Sequence, residues 1–515
     1  MSQMRAGAIL SYLSLIVSIL IALLYTPVMI RLLGQSEYGL YALIGSIAAY
    51  FNIMDMGLNN AIVRFTARNR AIGNEEEESK LNGLFLILFS ILGLLAVIIG
   101  LLFITKIDNI FGSSLNDSEL EKAKIMVIIL MINFALSFPL TVFGSIMQAY
   151  EKFVVIKLVS ITRSLLIPVI TLPILFIGYG SIAMVVITTV VNILCLLFNA
   201  LYSIKKLKVN FCFEKIDYKL LKEIIGYSFF VFLGVIVDQI YWNTDQFILG
   251  VVAGTVPVAV YAIAMLFIKL YIQFSTSLSG LFLPKVSMMV ANKATAKELT
   301  NIMIKYGRIQ FVIMAFILSG FVLFGEPFIN LWAGTHYNKA YYIVMIVMVP
   351  LSIPLIQNIG ISILYAKNLQ GFRSVVLILI AFFNVIITIP LAKYYGGIGA
   401  AIATAVSLVV GNIIVMNIYY NRKIGINIPL FWKNILLVSV PVIIVLFIGG
   451  SINYFITENS ILFLSFKILI FSVIYFVIMW YFALNDYEKS LLVSIIKSFK
   501  SKIALLMNKN KEEKL

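Results

Sequence analysis

About fourteen long apolar runs follow one another along this chain, with short polar connections between them. A bilayer core of about 30 Å takes roughly twenty residues of helix to cross, and each run meets that length. Backbone groups placed in hydrocarbon must satisfy each other, so a run of this kind has to be helical. The runs lie near 7–31, 38–63, 82–104, 123–148, 153–177, 181–203, 222–249, 257–283, 301–324, 341–365, 373–393, 398–420, 433–450 and 460–484. The expected fold class is therefore all-α integral membrane. The first run lacks a small-x-small cleavage site and more spans follow it, so it reads as a retained span and not a secretory leader.

Hydrophobic residues make up 62% of the chain and charged ones 12%, with a mean hydropathy of +1.03, which leaves no room for a sizeable soluble domain. Two cysteines, Cys195 and Cys212, cannot form a disulfide framework or a zinc ribbon. One histidine, His336, stands in a short polar connection as an ordinary loop residue, so no metal site or histidine triad is expected.

Lys and Arg are retained on the cytoplasmic side of a membrane. With the N-terminus placed inside, inner segments collect Arg64, Arg68, Arg70 and Lys80, the run Lys205 to Lys219, Lys285, Lys293 and Lys297, and the tail lysines from Lys489 to Lys514. Roughly thirty of the 39 basic residues then fall inside and about six outside. The net charge of +16 is mainly this topology signal, which makes nucleic acid an unneeded partner.

The halves resemble each other at a shift of about 215 residues. Leu33-Gly34 and Tyr41-Ala42-Leu43 recur as Leu249-Gly250 and Tyr261-Ala262-Ile263. Phe138-Pro139, Gly144 and Tyr150-Glu151-Lys152 return as Ile353-Pro354, Gly360 and Tyr365-Ala366-Lys367. Leu172-Pro173, Gly180, Ala183, Tyr202 and Lys205-Lys206 match Ile389-Pro390, Gly397, Ala400, Tyr419 and Arg422-Lys423. Six spans separate the copies, so each starts on the same side and the copies are parallel. The expected organisation is an N-terminal six-helix lobe (1–204), a basic cytoplasmic linker (205–221), a second lobe (222–424), two extra spans (425–485) and a basic tail (486–515). In that tail Leu491, Leu492, Ile495, Ile496, Phe499, Ile503 and Leu506 share one helical face flanked by lysines, the pattern of a helix lying on an anionic leaflet. Residues 508–515 read as disordered.

The stretch Pro27-Val28-Met29-Ile30-Arg31-Leu32-Leu33-Gly34 with Glu37-Tyr38-Gly39-Leu40-Tyr41 resembles the opening of bacterial polysaccharide-unit exporters, the Wzx-type flippases. Asp55-Met56-Gly57-Leu58, Arg64-Phe65 and Asn243-Thr244-Asp245-Gln246-Phe247-Ile248-Leu249-Gly250 continue the resemblance, which extends over most of the chain. Their superfamily includes the multidrug and toxic compound extrusion (MATE) transporters and the lipid II flippases. The resemblance implies a V-shaped bundle in the bacterial cytoplasmic membrane. It also implies a substrate, an undecaprenyl-pyrophosphate-linked oligosaccharide of the O-antigen or capsule kind, moved outward by alternating access. Membrane lipids and polysaccharide polymerases or glycosyltransferases would be its neighbours, and the chain would act as a monomer.

Ionisable side chains inside spans cost roughly 2.5–3.5 kcal/mol on insertion scales, so each needs a use or a partner. Lys269 and Arg163 lie deep, and with the end-of-span Arg64 they are the candidate cationic cavity for a diphosphate head. Snorkelling or pairing with a carboxylate is the plainer role for both deep residues. Asp55 and Asp238 are candidates for coupling to H+ or Na+, with an internal ion pair or a cap at a helix break as the alternative. No other cofactor is called for. Asp245, nearer the outer end, reads as structural. Asn59 and Asn60 suggest a polar cavity face; Tyr50, Tyr271, Tyr241 and Trp242 suit sugar stacking, with interfacial anchoring the favoured role. Arg68, Arg70 and Glu75 to Glu78 could form gate salt bridges or a simple solvated loop.

The outer connections near 105–122 and 325–340 contain neither paired catalytic carboxylates nor a metal motif, and no phosphate-cradling glycine loop lies inside. A polysaccharide polymerase, a glycosyltransferase or an ATP-driven pump is accordingly disfavoured, and no enzymatic activity is expected. A cation or drug antiporter of the same superfamily is the nearer rival.

Overall fold

In the computed structural model, residues 3–213, 218–279, 283–455, 460–491 and 493–494 are described. They are almost entirely helical: α1 (Gln3–Leu33), α2 (Gln35–Phe51), α3 (Leu58–Ile72), α4 (Glu75–Phe111), α5 (Asp117–Ala149), α6 (Phe153–Phe176) and α7 (Ser181–Lys205) come first. After the basic connection follow α8 (Tyr218–Val252), α9 (Thr255–Ser279), α10 (Leu283–Ala291), α11 (Ala296–Trp332), α12 (Lys339–Ile356), α13 (Asn358–Ala366) and α14 (Gln370–Ser407). A π-helical stretch, Leu408–Val415, leads into α15 (Met416–Tyr419); α16 (Ile428–Phe455) and α17 (Ile461–Ile478) close the series. No strand occurs among the described residues. The tail helix expected near 491–506 falls almost wholly outside them.

Thirteen helical segments among the described residues are long and apolar enough to cross a membrane. One of these, Gln370–Ile424, has 55 residues. At 1.5 Å per residue it would extend about 80 Å, far beyond one bilayer crossing. Gly396 breaks it with φ 57° and ψ −136°, a conformation a Cβ would strongly disfavour. Counted as two crossings, the series agrees with the fourteen spans legible in the sequence. Two of the long helices begin in reciprocal side-chain caps. Asn116 and Glu119 form a reciprocal capping box on α5, and Thr295 and Glu298 do the same on α11.

The span starting at α2 does not run through. Its helix tightens into a 3₁₀ turn over Asn52–Asp55, passes through Met56 (φ 50°) and Gly57 (φ 72°), and restarts as α3. Two left-handed residues in succession end a right-handed helix, and only the second is free of the Cβ penalty.

The chain forms two compact units. Unit 1 comprises Met1–Phe267, Tyr342–Val344 and Ser374–Ser407; unit 2 comprises Ile268–Tyr341, Met345–Arg373 and Leu408–Leu515. In unit 1 small residues let backbones meet, as they must where helices share no hydrophobic drive against lipid. A Cβ on Gly39 would overlap the Thr255 carbonyl, and one on Gly83 would overlap the carbonyl of Cys212. The second contact holds the chain after α7 as a strap along α4: Cys212 N donates to the Ser79 carbonyl (2.9 Å) and Asn82 Nδ2 to that of Asn210 (3.2 Å). Unit 2 is centred on aromatic packing that joins the last two spans to α11. Phe316 lies 5.1 Å from Tyr475 and 6.0 Å from Phe471, ring to ring, and the Tyr475 hydroxyl donates to the Val312 carbonyl at 2.7 Å.

Candidate functional site

Lys269 sits in α9, beyond the midpoint of the helix, and belongs to unit 2. Its side chain is exposed and forms no ion pair or hydrogen bond among the described residues. With no carboxylate beside it among the described residues, this amine on an apolar helix is available to something that is not this chain. Tyr271, two residues on, is buried instead; its hydroxyl meets Ser352 Oγ at 2.7 Å beside a small cavity of about 130 Å3 lined by Phe311, Met314 and Leu318.

Arg163 is held at the surface of unit 1 by α7. Its Nη1 donates to Asn192 Oδ1 (3.0 Å), and Asn192 Nδ2 donates in turn to Asn133 Oδ1 (3.1 Å) and Ser137 Oγ (3.0 Å). Two helices, α7 and α5, thus supply the amides and hydroxyl that fix a guanidinium on a third, and no carboxylate takes part among the described residues. The arrangement orients Arg163 without neutralising it.

Arg64 lies on α3 with its guanidinium carbon 4.7 Å from the Tyr227 ring centroid and 5.8 Å from that of Phe65. None of its N–H donors is hydrogen-bonded among the described residues, so the cation is stacked yet free to bind an anion. One turn on, Arg68 pairs with Glu223 of α8 at 3.2 Å. Within the charge run from Arg68 to Lys80, Lys80 pairs with Glu76, while Arg70 covers the Tyr150 ring at 3.6 Å and Tyr150 donates to Glu78 at 2.6 Å. Burial, followed by the Glu78 carboxylate, pushes the Tyr150 hydroxyl well above its usual pKa.

Asp55 serves the break in the second span. Its two oxygens accept from Gly57 N (2.9 Å) and Asn59 Nδ2 (3.0 Å), and Asn59 Oδ1 accepts from Ser145 Oγ (2.9 Å). Asn60 is exposed. Tyr50 is tied by its hydroxyl to Thr244 (2.6 Å) and packs edge-on against Phe247 (6.1 Å). Asp238 is exposed on α8. The structure therefore brings Asp55 and Asn59 together, and gathers Arg64 near the partners of Arg68. Lys269 and Tyr271 stand in the other unit.

The most enclosed polar site was not foreseen in the sequence. Asp245 is buried in α8, and three hydroxyls converge on it: Tyr261 of α9, Thr404 of α14 at 2.7 Å and Thr388 of α14 at 3.3 Å. The Tyr261 bond is 2.5 Å. Asn384 completes the group, its Oδ1 accepting from Thr388 (2.7 Å) and its Nδ2 donating to Thr404 (3.3 Å). No Lys or Arg pairs with the carboxylate among the described residues. Three charge-assisted bonds replace part of the lost hydration of an anion. Oxygen-rich and closed, the cluster has the chemistry of a site for a proton or a small hard cation.

Two further charges, Lys467 and Arg308, lie within spans that read as plain in the sequence. Lys467 of α17 is 3% exposed. Arg308 of α11 donates through Nε to Glu488 Oε1 (2.7 Å) and through Nη2 to Glu488 Oε2 (3.1 Å) and the Ala483 carbonyl (2.8 Å). A count of ionisable residues within 301–324 and 460–484 would have found Arg308 and Lys467.

A family model described as polysaccharide biosynthesis protein matches residues 4–290, more than half of the chain. An uncharacterized membrane protein of Bacillus subtilis (strain 168), EpsK, is 22% identical over 446 residues, 82% of this chain and 84% of that protein. A candidate O-antigen transporter of Shigella flexneri is 23% identical over 403 residues, 76% of this chain and 91% of its own. Among solved structures, the lipid II flippase MurJ in an inward closed conformation shares the fold at a TM-score of 0.72 and 20% identity, with 92% of this chain and 97% of that one covered. The chain belongs to the polysaccharide biosynthesis protein family and is a multi-pass membrane transporter of the polysaccharide-exporter type.

Proposed function

We propose that this chain flips an undecaprenyl-pyrophosphate-linked oligosaccharide from the cytoplasmic to the outer leaflet of a bacterial cytoplasmic membrane by alternating access. Both termini lie in the cytoplasm in this reading, and the two parallel repeats, 1–204 and 222–424, are the bodies that rock. The observation that carries it is Lys269, an exposed cation on a membrane-spanning helix with no carboxylate paired to it among the described residues. Charge left uncompensated in an apolar setting is costly unless an anion visits. A lipid diphosphate is such an anion, and Arg64 and Arg163, both free of carboxylate partners, are its further cationic contacts. Hydroxyls of the sugar would meet Asn60 and the tyrosines; chemistry on the sugar is left to glycosyltransferases and a polymerase acting before and after.

Coupling to an H+ or Na+ gradient is part of the proposal. Asp55 is spent on the helix break, which leaves Asp245 with Thr388, Thr404 and Asn384 as the better-equipped ion site. A cation or drug antiporter, the rival class, would need a carboxylate open to a large organic cation; Asp245 is closed off by its own hydroxyl donors, and exposed Asp238 is the acid that reading would use.

The test is reconstitution in proteoliposomes with a labelled undecaprenyl-pyrophosphate oligosaccharide, scored by appearance of label in the opposite leaflet. Flipping that is lost in Lys269→Ala and retained in Lys269→Arg is the expected result. Uptake of organic cations by wild-type protein that does not flip the lipid would replace this reading with the rival one.

A further inference from the structure

The second span is divided between two sets of neighbours, and its break falls where the division is made. The α2 half is bound to α8 and α9: Tyr50 bonds Thr244, Leu43 fills the space over Gly250, and Gly39 lies against the Thr255 carbonyl. The α3 half is bound mainly to α5, through Asn59 and Ser145, with Ala61, Ile62 and Phe65 buried beside it; α2 meets α5 as well, Phe51 stacking on Phe134 at 5.2 Å. Between them the Asp55 carboxylate accepts from the Gly57 N–H at the start of α3, and Met56 and Gly57 reverse the backbone hand.

The two ends of this span are also held with different strength. At the Ser36 end, Glu119 accepts from both Ser36 and Thr255 (the latter at 2.7 Å) while its other oxygen caps α5, and Ser114 donates to the Gly250 carbonyl at 2.7 Å. Glu37 there bonds Lys122 and both the N–H and the hydroxyl of Ser181. At the basic end α3 meets α8 through Arg68 and Glu223, which are 48% and 51% exposed, and through the stacking of Arg64 and Phe65 on Tyr227. A half-exposed ion pair is screened and weak, whereas interlocked backbones and shared carboxylates must be broken together.

We propose that Met56-Gly57 is a hinge: the basic end opens by α3 moving away from α8 together with α4 and α5, while α2 stays locked to α8 and α9. Span 2 therefore bends during the cycle in place of rocking as one rod. Gly57 is suited to the pivot because a Cβ there would come within 2.7 Å of the Val231 side chain and 3.3 Å of the Ser228 carbonyl oxygen, so at that level the chain passes close against α8 with no side chain between. Arg68 and Glu223 are the clasp, and unclasping removes the Tyr227 ring from Arg64.

Electron spin distances test this without any substrate. In protein carrying Cys195→Ser and Cys212→Ser, labels at Asn69 and Lys222 report the basic end, and labels at Glu121 and Val256 report the other. In lipid nanodiscs the basic-end pair is expected to show a second, longer population that at least doubles in Glu223→Gln, while the other pair retains a single distance. Met56→Gly, which removes the strain of a left-handed side chain without touching the clasp, should fold and keep both basic-end populations. The hinge is overturned if the two pairs lengthen together, as a rigid span requires, or if the basic-end distance is single in both wild type and Glu223→Gln. Either result leaves the transport assay with Lys269 variants untouched, so the two readings fail separately.

Discussion

Thr404 and Asp245 are 159 residues apart in the chain and joined by a 2.7 Å hydrogen bond, the threonine hydroxyl donating to Oδ2. With Tyr261 and Thr388 donating as well, the carboxylate is held where only a proton or a small cation could join it. Asp245→Asn preserves shape and one acceptor and should reach near-normal abundance. Asp245→Ala leaves three buried hydroxyls to find new partners, at about 1–3 kcal/mol for each one unsatisfied, and should lower abundance sharply. Export should fail in both. The decisive measurement is thermal stability against Na+ concentration and pH: wild type should respond to one of them by ligand linkage, and Asp245→Asn to neither. A response that survives Asp245→Asn would remove the residue from coupling.

For Lys269 the prediction is an order of charge. Lys269→Arg should retain most export. Lys269→Ala should lose on the order of tenfold or more, because a hydrogen bond to a charged group contributes about 1.5–3 kcal/mol. Lys269→Glu should be worse than Ala, since it faces an anionic head group with an anion. All three should be present at similar levels, because the side chain is exposed and binds no neighbour among the described residues. Polymer at the cell surface and protein level, measured together, check this. Normal export by Lys269→Glu at normal abundance would exclude the residue.

The proposed orientation predicts that a membrane-impermeant thiol reagent modifies a cysteine at Ser118 in intact cells and spares one at Asn210. Cys195 and Cys212 must first be replaced by serine. Ser118 is preferable to Asn116 at the same end, because the Asn116 side chain caps α5 and its loss would cost about 1 kcal/mol. The reverse labelling pattern would invert the topology.

Helices and spans were legible because each run carries its own signal, length and hydropathy within one stretch of chain. The break in span 2 is legible only in part: 38–63 reads as one span, and a cap at a helix break is one of the alternatives that the sequence leaves for Asp55. Asp245 was visible as a buried acid, yet its meaning was not. The hydroxyls that bind it come from α9 and two turns of α14, and only the register of three helices brings Tyr261, Thr388 and Thr404 to one point. Lys269 and Arg163 were identifiable as costly charges at depth. Their difference, one bare and one fixed by Asn192, depends on which residues of a neighbouring helix face them, and periodicity does not encode that.

Arg308 and Glu488 provide the last prediction. They are 11% and 3% exposed, joined by two bonds, and they fasten the chain after the final span to α11. Removing one partner of a buried pair strands the other charge, at about 3–5 kcal/mol, whereas removing both can be nearly neutral. Arg308→Met should therefore lower the melting temperature in detergent markedly, Glu488→Gln less so because it keeps an acceptor, and Arg308→Met with Glu488→Leu should recover much of the loss. The Ala483 carbonyl, which also accepts from Arg308, would lose its donor in every variant without Arg308, so full recovery is not expected. If the double variant melts as low as Arg308→Met alone, or lower, the ion pair is not what holds this end of the chain, and the aromatic packing of Phe316 on Phe471 and Tyr475 would be the fastening instead.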